Sequence, residues 1–210
     1  MSPIVVTSLT NFALAAETLL LGGLLARRPK QRGAASWYWA GVLLLLGLGA
    51  LIGGIDHGFL DPAGPAHRWV QRLTWIVLAG MTFCLLLSTA RQFFPPRAQR
   101  VWTGIAIAQF LADAAAILSF DSFLDVILNY APVMLLLLTL NLLGLRRGAG
   151  SRGIIGGLLV MAAASVIQAL GFDALNPLDH NGLYHVVSMA GVLFLFSGGR
   201  RLKKERMAES

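Results

Sequence analysis

Histidine is the residue in this chain best equipped to do chemistry, and there are four copies: His57, His67, His180 and His185. Two of them bracket the run Asp179-His180-Asn181-Gly182-Leu183-Tyr184-His185. Neutral imidazole is the commonest transition-metal ligand and titrates near neutral pH, and it is costly to place in hydrocarbon. The charge pattern described below puts all four at one face of a membrane. That grouping suggests a site, the alternative being that histidines simply collect at an interface.

Other polar residues repeat at helical spacing. Gln109 and Asp113 are four apart, as are Asp125 and Asn129; Ser165 and Gln168 are three apart, as are His185 and Ser188. Asp56 adjoins His57, and Arg68 and Arg72 follow shortly after. Intervals of three or four stack side chains on one helix face. Glu17 falls near the middle of an apolar stretch, where a carboxylate must be protonated, paired or open to water. The expectation is a polar chamber opening outward, with Glu17, Arg72, Asp125 and Gln109 among its lining. The competing explanations are local. The amides and serines can bond across helices, at about 0.6 kcal/mol each, and Arg72 can neutralise Asp56, Asp113 or Asp125.

The elements that must hold these residues follow from composition. Apolar residues make up 56% of the 210, charged residues only 13%, and the mean hydropathy is +0.69. Ordinary globular chains carry roughly 25% charge. Lipid is the solvent that tolerates such a chain, and it leaves only helices or a closed barrel. Runs such as Gly41-Val42-Leu43-Leu44-Leu45-Leu46 lack period-two alternation, which excludes the barrel. Seven helical spans are expected in an all-α polytopic bundle: Ile4–Ala26, Trp37–Phe59, Trp69–Ser88, Val101–Phe120, Ser122–Leu145, Gly153–Gly171 and Leu183–Ser197. Each approaches the roughly 20 residues that cross a 30 Å core, the last being the shortest. Residues 1–210 read as one domain with a basic tail at 199–210. No basic region precedes the first span, so it is expected to be retained rather than cleaved.

Charge orients the bundle. Arg27, Arg28, Lys30 and Arg32 follow the first span, and Arg91, Arg97 and Arg100 the third. Arg146, Arg147 and Arg152 follow the fifth, and Arg200, Arg201, Lys203, Lys204 and Arg206 the seventh. Fifteen of the 17 cationic residues thus occupy alternate connections. The positive-inside rule then puts the N-terminus outside and the C-terminus in the cytoplasm. The net charge of +7 calls for membrane lipid headgroups as partners and needs no nucleic acid. The localisation implied is a cell membrane, of the bacterial inner-membrane kind. Trp37, Trp39, Trp69 and Trp102 at span ends read as interfacial anchors. His67, beside two prolines, reads as a solvated loop residue. Cys84 is the sole cysteine and falls mid-span, which excludes a disulfide framework and a cysteine metal site. Glycines 22, 23, 53, 54, 156 and 157 read as close-packing positions between helices.

A histidine ending the second span, an intramembrane aspartate and paired histidines opening the last helix together resemble the superfamily of alkaline ceramidases, progestin/adipoQ receptors and hemolysin III-like proteins. The most specific piece is His180-Asn181-Gly182-Leu183-Tyr184-His185-Val186, similar to that superfamily's His-x-x-x-His helix. The resemblance implies a zinc-dependent hydrolase that cleaves a lipid amide or ester in the outer half of the membrane. His57 matches the second-span ligand and His185 the second histidine of the last helix. The first of those two falls on Asn181, with His180 one position early. The serine four residues before the second-span ligand is Gly53 here, and Asp113 stands as an analogue of the third-span aspartate. Zinc held by His57, His180 and His185 would lower the pKa of its water towards about 7. Asp113 or Asp56 would then act as general base or orient a histidine. His180 and His185 lie about 140° apart on a regular helix, so they share a metal only if the helix begins after His180.

The same residues also support a non-enzymatic seven-helix receptor, or a ligand- or proton-binding protein, built on Glu17, Asp56, Arg72, Asp113 and Asp125. A scaffold with satisfied polar pairs is the third possibility. No nucleophile elbow, phosphate loop or dinucleotide fingerprint is present in the sequence.

Overall fold

A computed structural model of the chain describes residues 3–27, 34–120, 122–146, 148–173 and 175–202. Seven helices occupy them: α1 (Pro3–Ala26), α2 (Ala35–Phe59), α3 (Pro65–Phe93), α4 (Pro96–Ser119), α5 (Phe123–Leu145), α6 (Arg152–Ala169) and α7 (His180–Arg200). All seven are long and apolar enough to cross a membrane, and the protein is an all-helical multi-pass membrane bundle. The basic residues Arg28, Lys30, Arg32 and Arg147, and the tail from Lys203 onward, lie outside the described residues, as does Asp121.

Local chemistry sets the helix ends. Pro65 and Pro96 occupy first-turn positions, where the missing N–H is no loss. Phe94, ahead of two prolines, is extended and stops α3. Ser151 caps α6 by accepting from Ile154 N at 3.3 Å, and Asp179 caps α7 by accepting from Gly182 N at 2.7 Å. These signals correct two expectations. The third helix runs from Pro65 to Phe93, which carries His67 out of the loop and onto a helix. The shortest helix is α6, with 18 residues, because Asp179 starts α7 three residues before Leu183.

α1 packs along α2 and α7, α2 also along α3, and α6 along α7, while α4 and α5 lean on α3. Lipid is as apolar as leucine, so packing and polar contacts hold these seams rather than any hydrophobic effect. Small residues permit the approach. In the pairs 22–23, 53–54 and 156–157 one glycine packs more closely than the other, as 100° per residue requires, while Gly198 and Gly199 both pack closely. A Cβ at Gly22, Gly54 or Gly157 would stand 3.0 Å or less from Leu44, Phe12 or Leu195, whereas one at Gly23 would meet nothing within 4 Å. Gly53 and Gly156 would make ordinary contacts at 3.8 and 3.5 Å.

Trp39 departs from its expected interfacial role. It is fully buried, and its indole Nε1 donates to Leu195 O at 2.9 Å, tying α2 to α7 over the face left bare by Gly199. Trp37, two residues away and about 200° round the helix, is 48% exposed and keeps the anchor position. Nearer the basic end, Asn141 forms a closed knot. Its Oδ1 accepts from Ser151 N at 2.9 Å and from Gln92 Nε2 at 3.3 Å, and its Nδ2 donates to Leu137 O at 2.8 Å.

Candidate functional site

The four histidines lie at the end of the bundle where α2 finishes and α3 and α7 begin. α1 supplies a polar stripe there: Thr7, Thr10 and Asn11 recur at intervals of three and four and face its neighbours, with Leu14 continuing the face one turn deeper. Thr7 Oγ1 donates to Asp179 Oδ1 at 2.8 Å, so the carboxylate that caps α7 is also its clasp to α1. One turn deeper, Thr10 Oγ1 and His185 Nδ1 are 3.0 Å apart, and His185 is buried.

These contacts frame a cavity of about 290 Å³. α1 contributes Asn11 and Leu14, and α2 contributes Leu46, Ala50, Asp56 and His57. α3 adds Gln71, Thr74, Trp75 and Leu78, α6 adds Gln168, and α7 adds Asn181, Tyr184 and His185. By helix register, Asp56 and His57 lie at the outer mouth, with Leu46 about 15 Å deeper. The cavity therefore grades from polar to apolar with depth. Gln168 Nε2 donates to Asn181 Oδ1 at 3.0 Å across α6 and α7. At the rim the buried Asp56 meets His67 Nδ1 through Oδ1 at 2.8 Å, a pairing made possible by the early start of α3. His67 thus braces a cavity carboxylate instead of standing in solvent.

His57 and His185, two of the expected metal ligands, line this one cavity, with Asp56 beside them. His180 lies elsewhere. As the first residue of α7 it binds Asp173 twice, with its backbone N–H donating to Oδ1 at 2.6 Å and Nδ1 within 2.8 Å of the same oxygen. Those bonds hold the exposed Asp173 carboxyl below the usual carboxylate range. Because α7 begins at His180 itself, the five-residue interval keeps its ring on a different face from His185. Among the described residues no three histidine, cysteine or acidic side chains form a group that could hold a metal ion.

Three of the remaining expected site residues, Gln109, Asp113 and Asp125, lie with Asn129 in a second polar cluster on α4 and α5. Asn129 Nδ2 donates to Asp113 Oδ2 at 2.5 Å, and Gln109 Nε2 donates to the Asn129 side-chain oxygen and, at 3.3 Å, to its carbonyl. Asp113 is buried, while Asp125 Oδ2 and Gln109 Oε1 are enclosed without a hydrogen-bond partner among the described residues. Glu17 Oε2 is likewise enclosed and unpartnered among them. The Arg72 guanidinium lies over the Trp69 ring, 5.1 Å from its centroid. None of Glu17, Arg72, Gln109, Asp113 and Asp125 lines the histidine cavity. The expected single chamber is thus divided: the histidine cavity, the α4–α5 cluster, and Glu17 and Arg72 outside both.

Thr7, Thr10, Asn11, Gln71, Thr74 and Tyr184 enter the site without having been singled out from sequence. The signal was present in the spacing Thr7–Thr10–Asn11–Leu14 and Gln71–Thr74–Trp75. It is weak, because a helical threonine ordinarily satisfies its hydroxyl on its own backbone, as Thr74 does on Val70 O at 3.0 Å.

No curated protein and no solved structure matches the chain. One family profile does, over residues 6–204, which is nearly the whole length. The chain belongs to that family, DUF6962, described as a family of unknown function.

Proposed function

We propose that the chain is a ligand-binding protein of a cell membrane, of the bacterial inner-membrane kind, with its N-terminus outside and its cavity opening outward. One observation carries this reading. Polar side chains from five helices line a space of about 290 Å³, and the bonds some of them make, such as Gln168 to Asn181, leave that space open. In a bundle surrounded by lipid, such groups need an occupant that bonds to them, either water or a ligand.

Gly53 offers the test, because a Cβ there would stand 3.8 Å from Asn11 Oδ1, with the cavity beyond. Native mass spectrometry of the membrane-extracted protein should find a bound small molecule on the native chain and none on folded Gly53→Phe. Equal occupancy of the two would overturn the reading. Cysteines introduced at Pro62 and Lys203 in a Cys84→Ala background should label from opposite sides of the membrane. Labelling of both from one side would overturn the orientation.

Zinc-dependent hydrolysis of a lipid amide or ester is a second reading, favoured by His57 and His185 sharing the cavity with Asp56. The third ligand it needs is not supplied by His180, which is bound to Asp173. Metal analysis separates the two readings: near one zinc per chain, lost in His57→Ala and in His185→Ala, favours the hydrolase. Metal-free protein that retains a small molecule favours the binding protein.

A further inference from the structure

The lining of the cavity is one-sided in charge, while its amides and hydroxyls offer both donors and acceptors. Among its described residues it holds one carboxylate, Asp56, and neither lysine nor arginine. The nearby guanidinium of Arg72 lies over Trp69, a ring 61% exposed on the outside of the bundle. With histidines neutral, the lining carries a formal charge of −1.

Hydrogen bonds around His185 add an acceptor. The Thr10 hydroxyl has one proton, and it reaches Thr7 O at 3.0 Å. Its oxygen is then the acceptor for His185 Nδ1–H, also at 3.0 Å. A neutral imidazole with its proton on Nδ1 presents Nε2 as a bare lone pair, a tautomer assigned here from the network. Gln168, which gives one amide N–H to Asn181, stands on the same wall with its second N–H and its carbonyl oxygen. Trp75, almost fully buried, supplies an aromatic surface above the deeper leucines.

A carboxylate, the His185 ring and an indole together favour a positively charged donor with a compact carbon body. An anion would face the Asp56 carboxylate, which His67 meets at 2.8 Å, and the described lining holds no lysine or arginine to offset it. We infer that the cavity takes a small organic cation, with a protonated amine towards Asp56 and His185 Nε2 and its carbon body against Trp75. This inference rests on the ligand-binding reading above and names its chemical class.

The test uses the full chain in lipid nanodiscs at about pH 8, where free imidazole is neutral, and three probes of one shape: benzylammonium, benzamide and benzoate. Gly53→Phe serves as the control for partitioning into lipid. Benzylammonium should raise the melting temperature of the native chain and bind about tenfold or more tightly than benzamide, with no response to benzoate. Asp56→Asn should remove that tenfold preference, bringing benzylammonium binding to the level of benzamide. Should Asp56→Asn fail to fold, the comparison of probes on the native chain decides alone. Equal binding of benzylammonium and benzamide, or preference for benzoate, overturns the cation and leaves the binding cavity standing. If no probe distinguishes the native chain from Gly53→Phe, both readings fall.

Discussion

The Asn141 knot and the histidine cavity use the same chemistry to opposite ends. At Asn141 the helices close completely. The residue is fully buried, its oxygen accepts from Ser151 N and Gln92, and its amide donates to Leu137 O. At the histidine end Asn11, Gln71, Gln168 and Asn181 carry the same amide groups, but α1, α2, α3, α6 and α7 leave space between them. The difference lies in what faces the polar group. Asn141 meets a backbone turn following α5, whereas the cavity amides sit opposite glycines 49 and 53 and the small Ala50. An intramembrane amide is therefore no marker of function by itself, and the space beside it is the informative quantity.

The largest expected effect comes from putting bulk into each region. A Cβ at Gly198, in the closed half, would stand 2.5 Å from Ile154 N, a backbone atom that cannot swing aside. Gly198→Leu should cost about 3 kcal/mol or more, or prevent folding. Gly53→Phe, pointing into the cavity, should shift stability by less than about 1 kcal/mol. Thermal or denaturant unfolding of both in one detergent checks this, and equal losses would mean that the cavity is as closed as the knot.

A smaller effect is expected from deleting amides. Asn141→Leu strands Ser151 N in the interior and should cost about 2 kcal/mol. Gln168→Leu removes one bond at a cavity wall and should cost under about 1 kcal/mol, near the average for an interhelical hydrogen bond. Unfolding curves that rank the two the other way would invert the comparison.

The smallest effect is a pH dependence at the start of α7. His180 holds the Asp173 carboxyl below its ordinary value, so the contact contributes stability above the unfolded carboxylate range of about 4 and loses it as pH falls through the lowered value. Asp173 is exposed and solvent screens the pair, so the loss should be slight. Melting temperatures followed into acid should show it in the native chain and not in Asp173→Asn. A sharper outcome would be loss of cavity ligand in His180→Ala, which would draw His180 into the site and dissolve its separation from His185.

Much of this was legible in the residues. The seven spans were marked by composition, though not the starts of α3 and α4 at Pro65 and Pro96, and the shared end of the four histidines by alternate basic connections. The pairing of Gln109 and Asp113 with Asn129 could be read as a shared face on each helix but not as a contact, since spacing says nothing about which helix lies opposite. The role of His67 was hidden for a similar reason, because its partner Asp56 belongs to another helix and the early start of α3 brings them together.

By itself the sequence determined the solvent, the number of crossings and the depth of each polar side chain, because those depend on local hydropathy and on a rise of about 1.5 Å per residue. Only the tertiary structure decided which seam each polar face enters. Helix rotation and the choice of neighbour depend on side chains of other helices, on which glycine of a pair packs and on where caps such as Asp179 begin a turn. Those choices put His57 and His185 on one cavity, left His180 on Asp173, and carried Asp113 and Asp125 to the seam of α4 and α5.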